Sequence, residues 1–222
     1  MKSETFFLID ICGTIYRSNT TFDFLRFYFA GERWFQRMQS IRKYRIVGFV
    51  NMIIHRWFYI DLIRHYAISK LRGYTKQQLA DMTTLFYDKY LSSVINPSVV
   101  EIINQKRQEG TKLIIVSATL DCISKEVASR LNISHQYSSE LDYKDGVCQG
   151  RLMTDLLATK ENKMRSMGVD LSNCEVITDN YSDADIISQA KYAYLIQYND
   201  KRDRWTHYLD KETLLKCEFI RI

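Results

Sequence analysis

The feature that most constrains the fold of this chain is a set of four short apolar runs separated by stretches with helical periodicity. The runs, at residues 6–11, 112–116, 175–177 and 192–196, lack period-two alternation and are bounded by polar or small residues. They therefore indicate parallel strands buried on both faces. Helical patterns follow at 98–108, 120–131, 160–167 and 183–190. This alternation predicts an α/β fold with a doubly wound, Rossmann-like parallel sheet.

A long insertion separates the first two predicted strands. Leu25, Leu79 and Phe86 recur there at helical spacing with other apolar residues, which predicts a helical cap rather than a simple crossover. The only proline, Pro97, suits the first turn of the helix that returns to the core. We therefore predict a core of residues 1–16 and 98–222 and a helical cap domain of residues 17–97. A β-hairpin is also expected around Asp145-Gly146, the dipeptide favoured in type I′ turns.

The composition narrows the functional classes. The net charge of +5 and pI near 8.8 suit an anionic ligand but fall short of the basic footprint of a nucleic-acid-binding protein. Five widely spaced cysteines with no CxxC pair indicate free thiols in a reducing compartment. No secretory signal opens the chain, and the apolar stretch 46–63 is interrupted by charges, so no transmembrane segment is expected. We expect a cytoplasmic protein.

Polar side chains follow several of the predicted strands. Asp10 ends the first strand, Ser117 ends the second, and Asp179 and Asp183 follow the third. Ligands bind at the carboxyl ends of strands in open α/β sheets. Each residue alone has a simpler interpretation as a turn or helix-capping residue. Carboxylates converging at one edge would repel one another unless a cation neutralised them, which favours a hard divalent ion such as Mg²⁺.

A lysine supports a phosphate site at the same edge. Lys160 opens a predicted helix, where a positive charge is unfavourable for the helix dipole. Local stability therefore does not explain this residue, whereas a role in holding phosphate would.

The order of these motifs resembles the haloacid dehalogenase superfamily, and most closely its phosphoserine-phosphatase-like branch. The resemblance rests on Asp10-Ile-Cys-Gly-Thr14, Ser117, Lys160 and Asp179-x-x-x-Asp183, together with the Asp-Gly hairpin and the inserted helical segment. It implies a magnesium-dependent phosphatase in which the Asp10 carboxylate attacks phosphorus to form an aspartyl-phosphate.

The resemblance also implies a role for each motif residue. Asp10, Asp179 and the backbone carbonyl of Cys12 would hold Mg²⁺, with Asp183 supporting it through water. Ser117, Ala118 and Lys160 would bind the phosphate, which would be carried by a small phosphorylated metabolite.

The chain departs from this family at Cys12, where the phosphatases carry the aspartate that transfers protons. A thiol replaces a carboxylate poorly in that role, so turnover is expected to be slow. Two alternatives follow, a phosphate-binding or regulatory module with an inactive site and a phosphotransferase that uses an acceptor other than water. Cys12 could also be a small buried filler in an inactive site.

The substrate is constrained more weakly by the sequence. Phosphoserine phosphatases place a glutamate where this chain has Asn19, so phosphoserine itself is not favoured. The basic, aromatic segment 33–45 and the apolar stretch that follows could bind a lipid or sugar phosphate, or rest on a membrane surface. A helical bundle with its aromatic side chains packed inside is the other interpretation.

Overall fold

A seven-stranded sheet forms the centre of the computed structural model, which describes residues 5–42, 61–199 and 204–222. Its strands are β1 (Phe6–Ile9), β2 (Lys112–Leu120), β3 (His135–Lys144), β4 (Val147–Thr154), β5 (Cys174–Thr178), β6 (Tyr192–Gln197) and β7 (Cys217–Arg221). Their order is β4-β3-β2-β1-β5-β6-β7. Only the β3–β4 pairing within this sheet is antiparallel. β1 thus lies at the point where the strand order reverses.

Nine α-helices lie in the described part of the chain. They are α1 (Thr20–Phe29), α2 (Arg33–Arg42), α3 (Leu62–Ser69), α4 (Lys76–Lys89), α5 (Pro97–Gln108), α6 (Asp121–Arg130), α7 (Lys160–Ser166), α8 (Ala184–Gln189) and α9 (Lys211–Leu215). Short 3₁₀ turns occupy Leu91–Val94, Leu171–Asn173, Tyr181–Asp183 and Trp205–His207. α3 begins after Asp61, whose side chain accepts a bond from the Arg64 amide, and α4 begins with a capping box built by Thr75 and Gln78.

The sheet is covered on both faces by separate apolar layers. Alternate residues of β1 point to opposite sides, so Phe7 and Ile9 join one layer while Leu8 joins the other. The first layer includes Val99 of α5 and residues of the inserted helices, and the second includes Met164 of α7. The predicted doubly wound α/β fold is confirmed.

The main differences from the predicted elements concern the strands β1, β2 and β7. β1 ends at Ile9, two residues early, because the chain turns there toward Gly13, which has φ of +71°. β2 continues to Leu120 because it goes on pairing with β3. The edge strand β7 was not predicted, since it is half exposed and carries no continuous apolar run. The hairpin is present, with positive φ at both Asp145 and Gly146, as a type I′ turn requires.

The chain enters and leaves the inserted segment side by side. The Arg17 amide donates to the Val94 carbonyl at 2.8 Å, and the Asn96 amide donates to the Ile15 carbonyl at 2.8 Å. α1–α4 lie between these points. The boundaries 17–97 for a separate cap domain stay a prediction. Most of the apolar stretch 46–63 and the end of the basic segment 33–45 lie outside the described residues. Among the helices that are described, none has the length and hydropathy needed to cross a membrane.

Candidate active site at the carboxyl edge of the sheet

The first element of the site is the turn that follows β1. Asp10 is 5% exposed, and its amide donates to the Ile177 carbonyl of β5 at 3.1 Å. This bond fixes the residue beside the neighbouring parallel strand. Because β1 lies between β2 and β5, where the strand order reverses, the Asp10 carboxylate faces the crevice at the carboxyl edge of these parallel strands.

Gly13 allows this turn to approach the loop after β5. A Cβ atom built at Gly13 would lie 2.1 Å from the Oδ2 atom of Asp179, and the backbone there has φ of +71°. Any other residue would therefore both clash and be strained. The Thr14 side chain stabilises the close packing of these two loops, because its Oγ1 accepts a hydrogen bond from the Asp179 amide at 2.9 Å. The Asp179 carboxylate is thereby packed directly over the turn that follows Asp10.

A buried lysine joins two of the carboxylates. Nζ of Lys160 lies 2.9 Å from Oδ1 of Asp10 and 2.8 Å from Oδ2 of Asp183, and all three side chains are 4–5% exposed. Burial acts to lower the pKa of Lys160, but the two carboxylates outweigh it and raise the pKa. Burial raises the pKa of Asp10, and Asp183 adds to this, although Lys160 and the Ser117 hydroxyl oppose the shift. These contacts explain why a lysine opens α7.

The capping interpretations fail for Ser117 and Asp183. Ser117 is fully buried within β2, whereas α6 begins only at Asp121 after Leu120. The Asp183 side chain accepts from Lys160 and from Thr178 Oγ1, at 2.7 Å for the latter, and makes no capping bond to α8. Both side chains are thus directed into the site and away from the helix ends.

Cys12 lies in a short chain of polar side chains. Its Sγ is 2.8 Å from Oγ1 of Thr20, which in turn is 2.6 Å from Oγ1 of Thr119. Burial raises the pKa of the Cys12 thiol to about 11, and the nearby Asp10 carboxylate acts in the same direction. The residue is therefore a neutral thiol at physiological pH, held by a hydroxyl from α1.

A cavity of about 650 Å³ opens above these residues. Its floor contains Asp10, Cys12, Ser117, Ala118, Lys160 and Asp179, so it brings together six of the seven predicted site residues. Its upper wall comes from the inserted segment. There Arg26 pairs with Asp23 at 2.7 Å, and Tyr90 contacts both. Asp183 lies just below the floor, reached through Lys160. The cavity is large enough for a small organic ligand.

The donors in the floor fit a hard divalent cation. Asp10 and Asp179 line the cavity and Asp183 contacts the same ammonium group as Asp10, so carboxylate oxygens of the kind that Mg²⁺ binds converge here. In the described ranges, no three His, Cys, Asp or Glu side chains are grouped so as to hold a metal by themselves. Mg²⁺ does not require such a group, because it retains several waters and needs only one or two carboxylates from the protein.

Sequence reasoning missed several residues that build the site. Thr20 and Thr119 contact each other across 99 positions, and Arg64 reaches Asp155 across 91. Tyr198 donates to the Gly13 carbonyl at 2.8 Å from the end of β6. The only sequence signal among them is an arginine on the apolar face of a short helix, at Arg64. The others carry no local pattern, since their partners are distant in the chain.

The fold and the site define a doubly wound α/β protein with an acidic, lysine-bridged site where the strand order reverses. The model of the haloacid dehalogenase-like hydrolase family matches residues 7–188. The chain therefore belongs to this family.

Individual relatives agree with this membership. Phosphoserine phosphatase SerB1 of Mycobacterium tuberculosis is 23% identical over 131 residues, which cover 56% of this chain and 42% of that protein. The match thus spans less than half of the relative's length.

Two solved structures share the fold. A protein of unknown function from Bordetella pertussis Tohama I superposes with a TM-score of 0.68 at 16% identity, covering 88% of this chain and 91% of that one. A phospho-aspartyl intermediate analogue of phosphoserine phosphatase gives 0.60 at 16% identity, covering 100% and 94%. At such identities the likeness concerns the fold.

Proposed function

We propose that this protein is a Mg²⁺-dependent phosphomonoesterase that forms an aspartyl-phosphate on Asp10. The observation that carries the proposal is the Asp10 carboxylate at the floor of the cavity, 2.9 Å from the ammonium of Lys160 and beside the Ser117 hydroxyl. A nucleophile next to fixed positive charge and hydrogen-bond donors is what phosphoryl transfer requires, since the protein must chiefly position groups and stabilise charge. Membership of a hydrolase family supports the same reading.

The proposed reaction has two steps. A carboxylate oxygen of Asp10 attacks phosphorus, and the bond to the leaving oxygen breaks as the new O–P bond forms. Water then attacks the aspartyl-phosphate, which releases inorganic phosphate and restores the carboxylate. Ser117, the backbone at Ala118 and Lys160 would hold the phosphoryl oxygens, with Lys160 exchanging part of its contact with Asp10 for contact with phosphate.

We assign the metal site to the same floor. Asp10, Asp179 and the main-chain carbonyl of Cys12 would hold Mg²⁺, and Asp183 would support it through water. The ion would neutralise negative charge on the carboxylates and on the phosphate. Gly13 permits this arrangement because it lets the Asp179 carboxylate lie against the turn after Asp10.

Cys12 makes slow turnover the expected behaviour. A thiol with a pKa of about 11 is too weak an acid to protonate a leaving alkoxide well, and at neutral pH it provides no base for water. Loss of a positioned acid and base costs on the order of 10²- to 10⁴-fold in rate. The same observation favours the second candidate, a phosphate-binding or regulatory module that retains its metal site.

The substrate we propose is a small phosphorylated metabolite. The cavity size and the mixed charge of its upper wall, with Arg26 paired to Asp23, suit a polar leaving group. Asn19 lines the cavity and also caps α1 through a bond from the Phe22 amide. A lipid or sugar phosphate, contact with a membrane surface, and the cytoplasmic location expected from the five free cysteines stay predictions.

The test is hydrolysis of p-nitrophenyl phosphate, whose leaving group hardly needs a proton and so bypasses the deficit at Cys12. We expect activity that depends on Mg²⁺ and disappears in Asp10→Asn, because an amide is a far poorer nucleophile. Asp142→Asn, which changes a half-buried carboxylate paired with the exposed Arg151 in the hairpin, is the matched control and should keep full activity. Undiminished turnover in Asp10→Asn would refute the mechanism. A wild-type protein that binds Mg²⁺ and phosphate without turnover would establish the binding module instead.

A further inference from the structure

Arg64 lines the cavity and connects the inserted helices to the phosphate site. It lies on α3, and its side chain is 6% exposed. Its Nη1 donates to both carboxylate oxygens of Asp155, at 2.6 and 2.5 Å. Its Nη2 donates to the Ala118 carbonyl at 2.6 Å and to Ser139 Oγ at 3.0 Å. One side chain thus ties α3 to the end of β2, to β3 and to the loop after β4.

Asp155 in turn shapes the loop that delivers Lys160. Its Oδ1 accepts from the Leu157 amide at 3.0 Å, and its carbonyl accepts from Thr159 Oγ1 at 2.7 Å. Ala158 in this loop has φ of +58°, a conformation that non-glycine residues adopt only where the surroundings enforce it. Lys160 follows two residues later. The contacts of Asp155 therefore hold a strained turn immediately before the lysine of the site.

We propose that Arg64 is a positioning residue, which sets the backbone at Ala118 and the loop before Lys160 only when α3 is docked on the core. The inference rests on the proposed function, because it concerns the phosphate site of that reaction. The planar guanidinium bonds a carboxylate and a carbonyl at once, which a lysine ammonium does with poorer geometry. Burial adds a further requirement, since undocking α3 would expose the guanidinium and leave Asp155 and the Ala118 carbonyl without this partner.

The burial of Asp155 strengthens this coupling. Burial acts to raise its pKa, but the hydrogen bonds and charge of Arg64 outweigh it and lower the pKa. The carboxylate is therefore charged whenever the pair is formed. His65, the next residue of α3, also lies 3.7 Å from the same carboxylate. Ser139 Oγ also contacts Asp155 and the Ala118 carbonyl, at 3.1 and 3.0 Å. Arg64 differs from it because it lies on α3 and so joins these two groups to the inserted helices.

The experiment compares Arg64→Gln, Arg64→Lys, Asp155→Asn and the double variant Arg64→Gln/Asp155→Asn. Lys106→Gln is the matched control, because Lys106 is also a buried cation with two carboxylate partners but lies away from the cavity. In Arg64→Gln and Asp155→Asn we expect kcat for p-nitrophenyl phosphate to fall by about 10- to 100-fold, as for other residues that orient a site. KM should rise less, the double variant should lose no more than either single one, and Arg64→Lys should recover only part of the loss. Lys106→Gln should lower the melting temperature and leave kcat unchanged.

Hydrogen exchange provides a second, direct measurement of how well the loop before Lys160 is ordered. Hydrogen exchange at the Leu156 and Leu157 amides, which bond to Ser139 Oγ and Asp155 Oδ1, should accelerate in Arg64→Gln and not in Lys106→Gln. A folded Arg64→Gln with unchanged exchange and unchanged kcat would overturn the proposal. So would a loss confined to substrates with anionic leaving groups, which would make Arg64 a substrate contact. If the wild type has no phosphatase activity, the proposed function fails by itself. In that case we expect Arg64→Gln to bind inorganic phosphate more weakly than the wild type in the presence of Mg²⁺. Unchanged affinity would refute the coupling.

Discussion

Two buried lysines at different places on the sheet have nearly the same ionic surroundings. Lys160 lies 2.9 and 2.8 Å from Asp10 and Asp183, and Lys106 lies 2.7 and 3.0 Å from Glu175 and Glu109. Burial opposes the charged form of each lysine, yet the carboxylates raise both pKa values. Charge and partner number therefore do not distinguish a lysine of the candidate site from a structural one, although Glu109 is exposed whereas both partners of Lys160 are buried.

The difference lies in what surrounds each cluster. Lys106 lies over the Tyr194 ring at 5.7 Å, and its partner Glu175 lies near the start of β5, so α5 and the sheet enclose the group. Lys160 lies at the opposite end of the strands and forms part of the floor of the 650 Å³ cavity. A third carboxylate, Asp179, faces the same space. An ion cluster thus becomes a candidate for chemistry when a cavity gives its charges access to a further partner.

The largest effect is expected when each of the two lysines is replaced by methionine and the variants are compared. Lys160→Met should lower kcat/KM for p-nitrophenyl phosphate on the order of 10²- to 10³-fold, because the substitution removes the positive charge that would stabilise the phosphoryl group. Lys106→Met should leave kcat/KM unchanged and instead lower the free energy of unfolding by about 3 kcal/mol, since the partly buried Glu175 loses its partner. Kinetics and urea denaturation of both variants measure this contrast. Equal losses of kcat/KM in the two variants would show that access to the cavity does not separate a catalytic lysine from a structural one.

A second prediction concerns proton transfer by the residue at position 12, beside Asp10 and Lys160. Cys12→Asp should raise turnover of alkyl phosphates by on the order of 10²-fold, because the leaving oxygen then receives a proton from a suitable acid. Aryl phosphates should gain less in the first step, although a carboxylate could still speed breakdown of the aspartyl-phosphate by activating water. Steady-state rates on both substrate types, with acid trapping of the intermediate, provide the measurement. We expect more trapped aspartyl-phosphate in the wild type. A variant that binds Mg²⁺ yet remains inert toward every ester would favour the binding module.

The smallest expected effect distinguishes the two aspartates that follow β5. Asp179→Ala should weaken Mg²⁺ binding at least about tenfold more than Asp183→Ala, because we assign Asp179 as a direct ligand and Asp183 as a residue that acts through water. The Asp183 carboxylate is already bonded to Lys160 and Thr178, which supports that assignment. Calorimetric titration with Mg²⁺ tests the order. Equal affinities would require a different ligand set.

Local sequence patterns are sufficient to predict the layered α/β fold and most of the cavity floor. Apolar runs long enough only for strands must be buried, and parallel strands place the residues after their carboxyl ends at one edge. For that reason local patterns predict Asp10, Ser117 and Asp179 at this edge, and Lys160 is predicted from its unfavourable position at the start of a helix. The Asp145-Gly146 turn was predicted in the same way, because its backbone conformation depends on the two residues themselves.

Which side chains contact one another depends on how distant segments pack. The pairing of Lys160 with Asp10 joins residues 150 positions apart, and the contact of Arg64 with Asp155 joins residues 91 positions apart. Side chains such as Thr20 and Thr119 carry no periodic signal, since a single hydroxyl neither sets a hydrophobic pattern nor specifies its partner. β7 escaped prediction because a half-exposed edge strand needs no continuous apolar run. Local sequence thus encodes what must be buried, whereas the contacts that tune charge at the site arise when distant segments pack together.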